Sequence, residues 1–149
     1  MRGMSTIVRN IVAILGGLVI LYGLYVTLTG HLAPGGGFVG GVIIMAGITM
    51  MVLAFGGERA RELMKEHHCQ MLEGFGALAF VIIALLGFFA AGSCFFKNFL
   101  PTGKVHELTS GGMIPLSNVA IAIKVGAGLT GIFLALVLGC RSAMFRKGK

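Results

Sequence analysis

Four long apolar runs divide the chain, and they constrain its fold more than any other feature of the sequence. They cover residues 11–29, 38–55, 74–96 and 119–140. A helix needs about 20 mostly apolar residues to cross a bilayer, and a lipid-exposed span must satisfy its own backbone hydrogen bonds. Transmembrane strands would be about half as long and would alternate apolar and polar residues, which these runs do not. The sequence therefore predicts an all-α membrane protein with four transmembrane helices in a single domain, residues 1–149.

Composition and the placement of charge agree with a membrane location. Charged residues make up 11% of the chain, against about 25% in soluble domains. The net charge of +7 does not indicate a nucleic-acid partner, because the basic residues lie at the ends of apolar runs. With the N-terminus inside, the outer loops hold only Lys97 and Lys104, and the inner segments hold Arg2, Arg9, Arg59, Arg61, Lys65, Arg141, Arg146, Lys147 and Lys149. This bias predicts a multi-pass protein of the cell membrane with both termini in the cytoplasm.

The segments between the runs give predictions about helix ends. The inner loop, residues 56–73, carries opposite charges three residues apart, a spacing that pairs charges on a helix surface. We therefore expect it to extend the second helix beyond the membrane. Glu73 is expected to open the third helix, where a carboxylate suits the positive end of the helix dipole. Ser117 or Asn118 is predicted to cap the fourth helix.

Metal and cofactor chemistry find little support in the sequence. His67, His68 and Cys69 are adjacent, so on a helix they would point in different directions, and no further ligands follow at the spacing of a metal site. We read them as part of a solvated or partner-facing loop. The sequence predicts no bound metal and no cofactor.

Lys124 is the one charged residue within an apolar run, and two interpretations of it compete. It lies five residues into the fourth run, about 7–8 Å along a helix that rises about 1.5 Å per residue. Its ammonium could reach the outer interface along its flexible stem. Alternatively, it could face a polar seam and relay protons with partner groups, which we favour because intramembrane charges usually face a protein interior.

Acidic residues are scarce, and this limits what the chain can do alone. The chain has no Asp, and all five Glu are expected to lie outside the apolar cores. A self-sufficient proton-coupled carrier usually needs an intramembrane carboxylate to load and release the proton. We therefore expect other subunits to complete any ion chemistry in which the chain takes part.

The segment "GHLAPGGGFVGG", residues 30–41, joins the first two runs. It formally matches GxGxxG, but a dinucleotide site needs a preceding strand, and here an apolar helix precedes it. Close helix packing explains it better, because small residues four apart let helix backbones approach each other. The expected packing motif consists of Pro34, Gly35, Gly36, Gly37, Phe38, Gly40 and Gly41. His31, beside them, is a candidate polar group at the outer end of the first helix.

The same segment closely resembles the signature of the B subunit of multisubunit Mrp-type sodium/proton antiporters, G-H-x-x-P-G-G-G-F-x-G-G. Every fixed position of that signature is matched between residues 30 and 41, and the length, the four helices and the long inner loop also agree. The resemblance implies a small helical subunit without a redox centre, beside large complex I-like antiporter subunits and other small Mrp subunits. Similar subunits belong to archaeal membrane-bound hydrogenases and sulfane reductases. The mid-helix Lys124 differs from the acidic residue common in the fourth helix of stand-alone bacterial antiporters, and this favours the respiratory type.

Together these features predict an accessory, non-catalytic subunit of a module that exchanges Na⁺ and H⁺. His31 and residues 35–41 would shape a seam between subunits, and Lys124 and Glu73 would contribute polar groups to an ion path. Three alternatives remain: a subunit of a stand-alone Mrp antiporter, a purely structural packing subunit, and an autonomous exchanger working as a homodimer. The expected lack of an intramembrane carboxylate argues against the last of these.

Overall fold

Four long helices make up most of the described chain. The structure, a computed structural model, describes residues 4–56, 66–91, 95–104 and 110–147, and within the last two helices the side chains of residues 67–90 and 114–137. The helices are α1 (Thr6–Thr29), α2 (Gly37–Phe55), α3 (Glu66–Ala91) and α4 (Ile114–Lys147). Each holds a span of 19 to 24 residues that is long and apolar enough to cross a membrane, and the described ranges contain no strand. The prediction of an all-α protein with four membrane-spanning helices is confirmed.

Helix α2 has almost the predicted bounds, and glycines at both ends explain why. Gly36, with φ of 109°, precedes the helix, and Gly56, with φ of 91°, follows it. Both angles lie in a region that favours glycine, so the backbone leaves the helical path there. The prediction that the inner loop extends the second helix is therefore wrong. Residues 57–65 of that loop lie outside the described residues.

Helix α3 is shifted toward the N-terminus compared with the predicted span. It begins at Glu66, eight residues early, because no Gly or Pro between residues 66 and 73 interrupts the helix. Glu73 is therefore well inside the helix, and the prediction that it opens α3 is wrong. The helix ends at Ala91 rather than at residue 96, and Phe96 has φ of 67°, which a continuing helix does not allow.

Helix α4 begins earlier than predicted. Its first residue is Ile114, five residues before the start of the apolar run, after two glycines with positive φ that turn the chain. Ser117 therefore lies in the first turn, where its hydroxyl donates a hydrogen bond to the Met113 carbonyl at 3.0 Å. The prediction that Ser117 or Asn118 precedes and caps this helix is wrong.

The helices pack in the spatial order α1, α2, α4, α3. Helices α2 and α4 run parallel, since Gly37 lies against Asn118 and Gly41 lies against Ala122. Each of the other two contacts, α1 with α2 and α3 with α4, joins antiparallel helices. Two small apolar clusters fill the contacts of α4: Val52, Cys69 and Leu134 in one, and Ile83, Met113 and Ala120 in the other. Large apolar side chains cover the outer faces instead, as on α1, where Leu18 is 59% exposed.

Candidate functional site

The segment of residues 30–41 forms the connection between α1 and α2 and the first turn of α2. A tight turn follows α1, closed by a hydrogen bond from the Leu32 amide to the Thr29 carbonyl at 2.8 Å. Within the expected packing motif, the structure separates two sets of residues. Pro34, Gly35 and Phe38 are exposed, and Gly36, Gly37, Gly40 and Gly41 are buried. The motif thus has an outward side and an inward side.

The buried glycines face helices of this same chain. A methyl group on Gly37 would overlap the Asn118 carbonyl oxygen on α4. One on Gly41 would lie 2.8 Å from the Ala122 carbonyl oxygen, also on α4, and one on Gly40 would overlap the Thr27 hydroxyl on α1. The bare backbone of α2 is therefore covered inside the chain. A seam to another subunit would have to use the outward side of the motif.

His31 connects the two loops at the end of the bundle where α4 begins. Its side chain is half-buried, and its ring lies against Gly111, where a methyl group would be 3.3 Å from the His31 Cδ2 atom. Gly111 has φ of 104°, so it belongs to the turn that leads into α4. His31 thus lies at the start of α4, well above the middle of the bundle.

Lys124 lies deeper than the sequence suggested. It is ten residues from the start of α4 at Ile114, about 15 Å along a helix that rises about 1.5 Å per residue. This position is near the middle of the span Ile114–Val137, which is long and apolar enough to cross a membrane. The backbone of Lys124 is covered by α3, because a methyl group on Gly76 would be 2.7 Å from the Lys124 amide nitrogen. Its side chain, however, is exposed.

Glu73 lies inside a helical span that is apolar enough to cross a membrane, whereas we expected every Glu to lie outside the apolar cores. The span of α3 is His67–Ala90, and Glu73 is about 10 Å from the helix start by the same rise per residue. Its carboxyl group lies on α4, where a methyl group on Gly128 would be 3.1 Å from the carboxyl carbon. A small cavity of about 250 Å³ beside it is lined in part by Gln70, Gly128 and Gly131.

The polar candidates do not form one site. His31 lies at the end of the bundle where α4 begins, and Lys124 lies about 15 Å further along α4. Gly37 and Gly41 of α2 face residues 118, 121, 122, 125 and 126 of α4, and Gly40 faces α1, whereas α3 faces residues 120, 124 and 128 of α4. What the structure does bring together is Glu73 and the stretch of α4 that carries Lys124. Sequence reasoning missed Gly76 and Gly128, although the four-residue spacing of Lys124 and Gly128 could have indicated a gap beside the charge.

An apolar groove of about 560 Å³ lies between α1 and α3, with α2 and α4 at its base. Thr27 and Thr130 line it, but their hydroxyls donate to carbonyls of their own helices, those of Gly23 at 2.8 Å and Gly126 at 2.6 Å. The groove therefore presents an almost wholly apolar surface. His68 is at its edge. Across the described ranges, no three His, Cys, Asp or Glu side chains are close enough to hold a metal ion.

Comparison with known proteins identifies the family. A family model described as "Domain related to MnhB subunit of Na+/H+ antiporter" matches residues 7–131. The chain is 28% identical to a putative antiporter subunit mnhB2 of Staphylococcus aureus, covering 91% of this chain and 96% of that protein. It is 33% identical to an uncharacterized protein of Methanocaldococcus jannaschii, covering 87% of this chain and 50% of that protein.

A solved structure is similar as well. One chain of the membrane-bound sulfane sulfur reductase, an archaeal respiratory membrane complex, superposes with a TM-score of 0.71 at 31% identity, over 87% of this chain and 56% of that one. The present chain thus spans about half the length of its two archaeal relatives. The resemblance inferred from residues 30–41 is confirmed: the chain belongs to the family of domains related to the MnhB subunit of Na⁺/H⁺ antiporters.

Proposed function

We propose that the chain is a non-catalytic membrane subunit of an Mrp-type module that exchanges Na⁺ and H⁺, working within a larger membrane complex. The observation that carries this proposal is the exposed Lys124 near the middle of a spanning helix, in a member of the MnhB-related family. A charge at that depth is costly when it faces lipid, and such residues usually face protein or a water-filled path. Partner subunits would cover it.

The respiratory type of complex, of the hydrogenase or sulfane reductase kind, is the version that we favour. The chain has 31% identity to a subunit of an archaeal respiratory complex and the same fold over 87% of its length. The stand-alone antiporter is the second candidate, favoured by the staphylococcal relative, which this chain covers almost completely. The other subunits of either complex, including complex I-like antiporter subunits, are the proposed partners.

The orientation and location that we propose follow from the distribution of Lys and Arg. Both termini would be cytoplasmic, with the connection between α1 and α2 on the outer side of the cell membrane. His31 and the exposed part of the glycine motif, Pro34, Gly35 and Phe38, would then meet partner subunits at the outer surface. Lys124 would contribute charge to the path of the ions.

Transport by the assembled complex tests this function. The tagged chain is purified from its native membranes, the co-purifying subunits are identified, and Na⁺-dependent proton movement is measured in vesicles. We expect His31→Ala and Lys124→Ala to lower transport while the complex still assembles. His67→Ala is the matched control and should be silent, because His67 is exposed and lies near the opposite end of the bundle from His31. Normal transport by both assembled test variants would reject the ion-path role.

A purely architectural role is the alternative, and the close contacts of Gly37 and Gly41 with α4 favour it. In that case the chain packs against its partner subunits and fills the spaces between them that lipid would otherwise occupy, without contributing to an ion path. Lys124→Met would then leave transport unchanged. The remaining alternative is an autonomous exchanger, and Glu73 would be the carboxylate available to it, because this residue lies inside a span apolar enough to cross a membrane. Transport by the purified chain reconstituted alone would support it.

A further inference from the structure

One side of the α3–α4 pair carries two charged side chains, whereas the exposed surface of α1 is mostly apolar apart from Tyr22 and Tyr25. We call it the α3–α4 polar face and define it by Gln70, Glu73, Lys124, Gly128 and Gly131. Within the four described spans, Glu73 and Lys124 are the charged residues that lie more than one helical turn from a span end. Both side chains are exposed. Two opposite charges at membrane depth on neighbouring helices call for a physical explanation.

The two charges lie on the same side of the helix pair. Lys124, Gly128 and Gly131 recur at spacings of four and three, so they form one stripe along α4. The Glu73 carboxyl carbon lies 3.1 Å from the place where a Cβ atom of residue 128 would be. The Glu73 carboxyl group thus lies on the surface of α4 where a side chain of residue 128 would otherwise lie. Residue 128 is four positions after Lys124. The carboxyl group therefore lies about one helical turn from the Lys124 backbone, and among the described residues the two charges form no salt bridge with each other.

Glycine at position 128 makes this arrangement possible. A methyl group there would be 3.1 to 3.4 Å from three atoms of the Glu73 carboxyl group, which would have to move. Gly76 has a similar effect one turn away, because it lets α3 approach the backbone of Lys124. The close approach of the two helices therefore holds the carboxylate next to the turn that carries the ammonium.

The exposed surface of α1 shows by contrast which side of the chain meets lipid. Its outward residues Ile14, Leu18 and Leu21 are 59 to 70% exposed, and all are apolar. Hydrocarbon tolerates such a face, whereas charged groups within a membrane pair with each other or with protein. The α1 face therefore suits lipid, whereas the charges of the α3–α4 polar face require a protein surface with complementary polar groups.

We propose that Glu73 and Lys124 act together, and that the α3–α4 polar face binds a transmembrane helix of a partner subunit that presents a polar side chain to these two charges. The inference rests on the proposed function for the existence of that partner. It differs from the sequence prediction in its location, because the contact is on the α3–α4 side at membrane depth, whereas His31 and the glycine motif lie at the outer end of the bundle.

A double-mutant cycle in the native complex tests the coupling. Glu73→Gln, Lys124→Met and the double variant are compared for co-purification with the complex and for Na⁺-dependent proton movement in vesicles. Each single change should lower transport about tenfold or more, and the double change should be no worse than the worse single change, because residues that act as a unit are not additive. Thr49→Val is the control, since it removes a membrane-depth hydroxyl on α2, away from this face.

Each outcome of this cycle either supports the proposal or overturns it. Wild-type transport in either assembled single variant overturns the pair, as does a double variant whose loss equals the product of the two single losses. Where a single variant fails to assemble, the exchanged pair Glu73→Lys with Lys124→Glu decides the matter. Restored assembly supports the pair, and continued failure overturns it.

Site-specific photo-crosslinking tests the docking surface independently of transport. A benzophenone amino acid replaces either Ile132, 60% exposed beside the cavity next to Glu73, or Leu18, 59% exposed on α1. Position 132 should give an adduct with a partner subunit, and position 18 should react with lipid. An intact complex without an adduct at position 132 overturns this inference and leaves the proposed function standing. If the wild-type chain co-purifies with no other subunit, the proposed function itself falls.

Discussion

Gly41→Ala is the sharpest test of how the bundle is held together. Gly41 lies where α2 crosses α4, and a Cβ atom there would be 2.8 Å from the Ala122 carbonyl oxygen, 3.0 Å from the Val125 Cβ atom and 3.1 Å from the Gly126 nitrogen. Ordinary van der Waals contact begins at 3.4 Å, so the worst overlap is about 0.6 Å. Two of the three atoms are backbone atoms of α4, which no side-chain rotation can remove. The helices must therefore move apart.

The expected magnitude follows from comparison with a matched glycine. Gly17 on α1 is exposed, and a Cβ atom there would meet nothing within 4 Å. Both Gly→Ala changes gain helix propensity, worth about 1 kcal/mol in water. That gain cancels when the two variants are compared. The remaining difference is the cost of overpacking, so Gly41→Ala should be less stable than Gly17→Ala by about 1–3 kcal/mol.

The thiol of Cys69 offers a direct measure of bundle opening. It is 5% exposed, in the cluster shared by α2, α3 and α4. With Cys94 and Cys140 replaced by Ser, thiol labelling during a titration with dodecyl sulfate reports unfolding of the purified protein in bicelles. Gly41→Ala should lower the denaturant midpoint relative to Gly17→Ala. Equal midpoints would show that the α2–α4 contact does not limit stability, and the packing argument would fail.

Three further changes test other parts of the structure. Gly37→Leu should abolish assembly of the chain with its partners, because its Cβ atom alone would overlap the Asn118 carbonyl oxygen, and pull-down from membranes checks this. Asn98→Ala should lower the free energy of unfolding by about 1–3 kcal/mol, the usual effect of leaving a donor without its acceptor, because the Asn98 Oδ1 atom accepts hydrogen bonds from the Leu100 and Met113 amides at 3.2 Å. Hydrogen exchange at the Met113 amide should become faster, and unchanged exchange would contradict the prediction. Thr130→Val should change the free energy of unfolding by less than about 1 kcal/mol, because the Thr130 hydroxyl donates its hydrogen bond to a carbonyl of its own helix. A larger loss in the same thiol-labelling assay would indicate that the hydroxyl has a partner outside that helix.

The sequence by itself determined the class of the fold and the family. Long apolar runs require helices in a bilayer, so hydropathy predicted four spans without any knowledge of their packing. Residues 30–41 carried the resemblance to the MnhB-related family, and the second apolar run gave the bounds of α2 to within one residue. The prediction that the inner loop extends this helix was wrong, because the backbone at Gly56, with φ of 91°, leaves the helical path. The bounds of α3 and α4 were less accurate. Hydropathy measures where a helix becomes apolar, whereas a helix continues into polar residues until something breaks it.

The tertiary structure decided which residues meet. A helix that is apolar all round gives no sign of the face that it buries, so the sequence could not show that Gly37 and Gly41 face α4 while Gly40 faces α1. It also could not place Glu73 beside the turn of Lys124, since the two residues are 51 positions apart. That proximity depends on the close approach of α3 and α4 at Gly76 and Gly128. Local sequence sets where each helix runs, but the polar face exists only because two glycines let two distant helices touch.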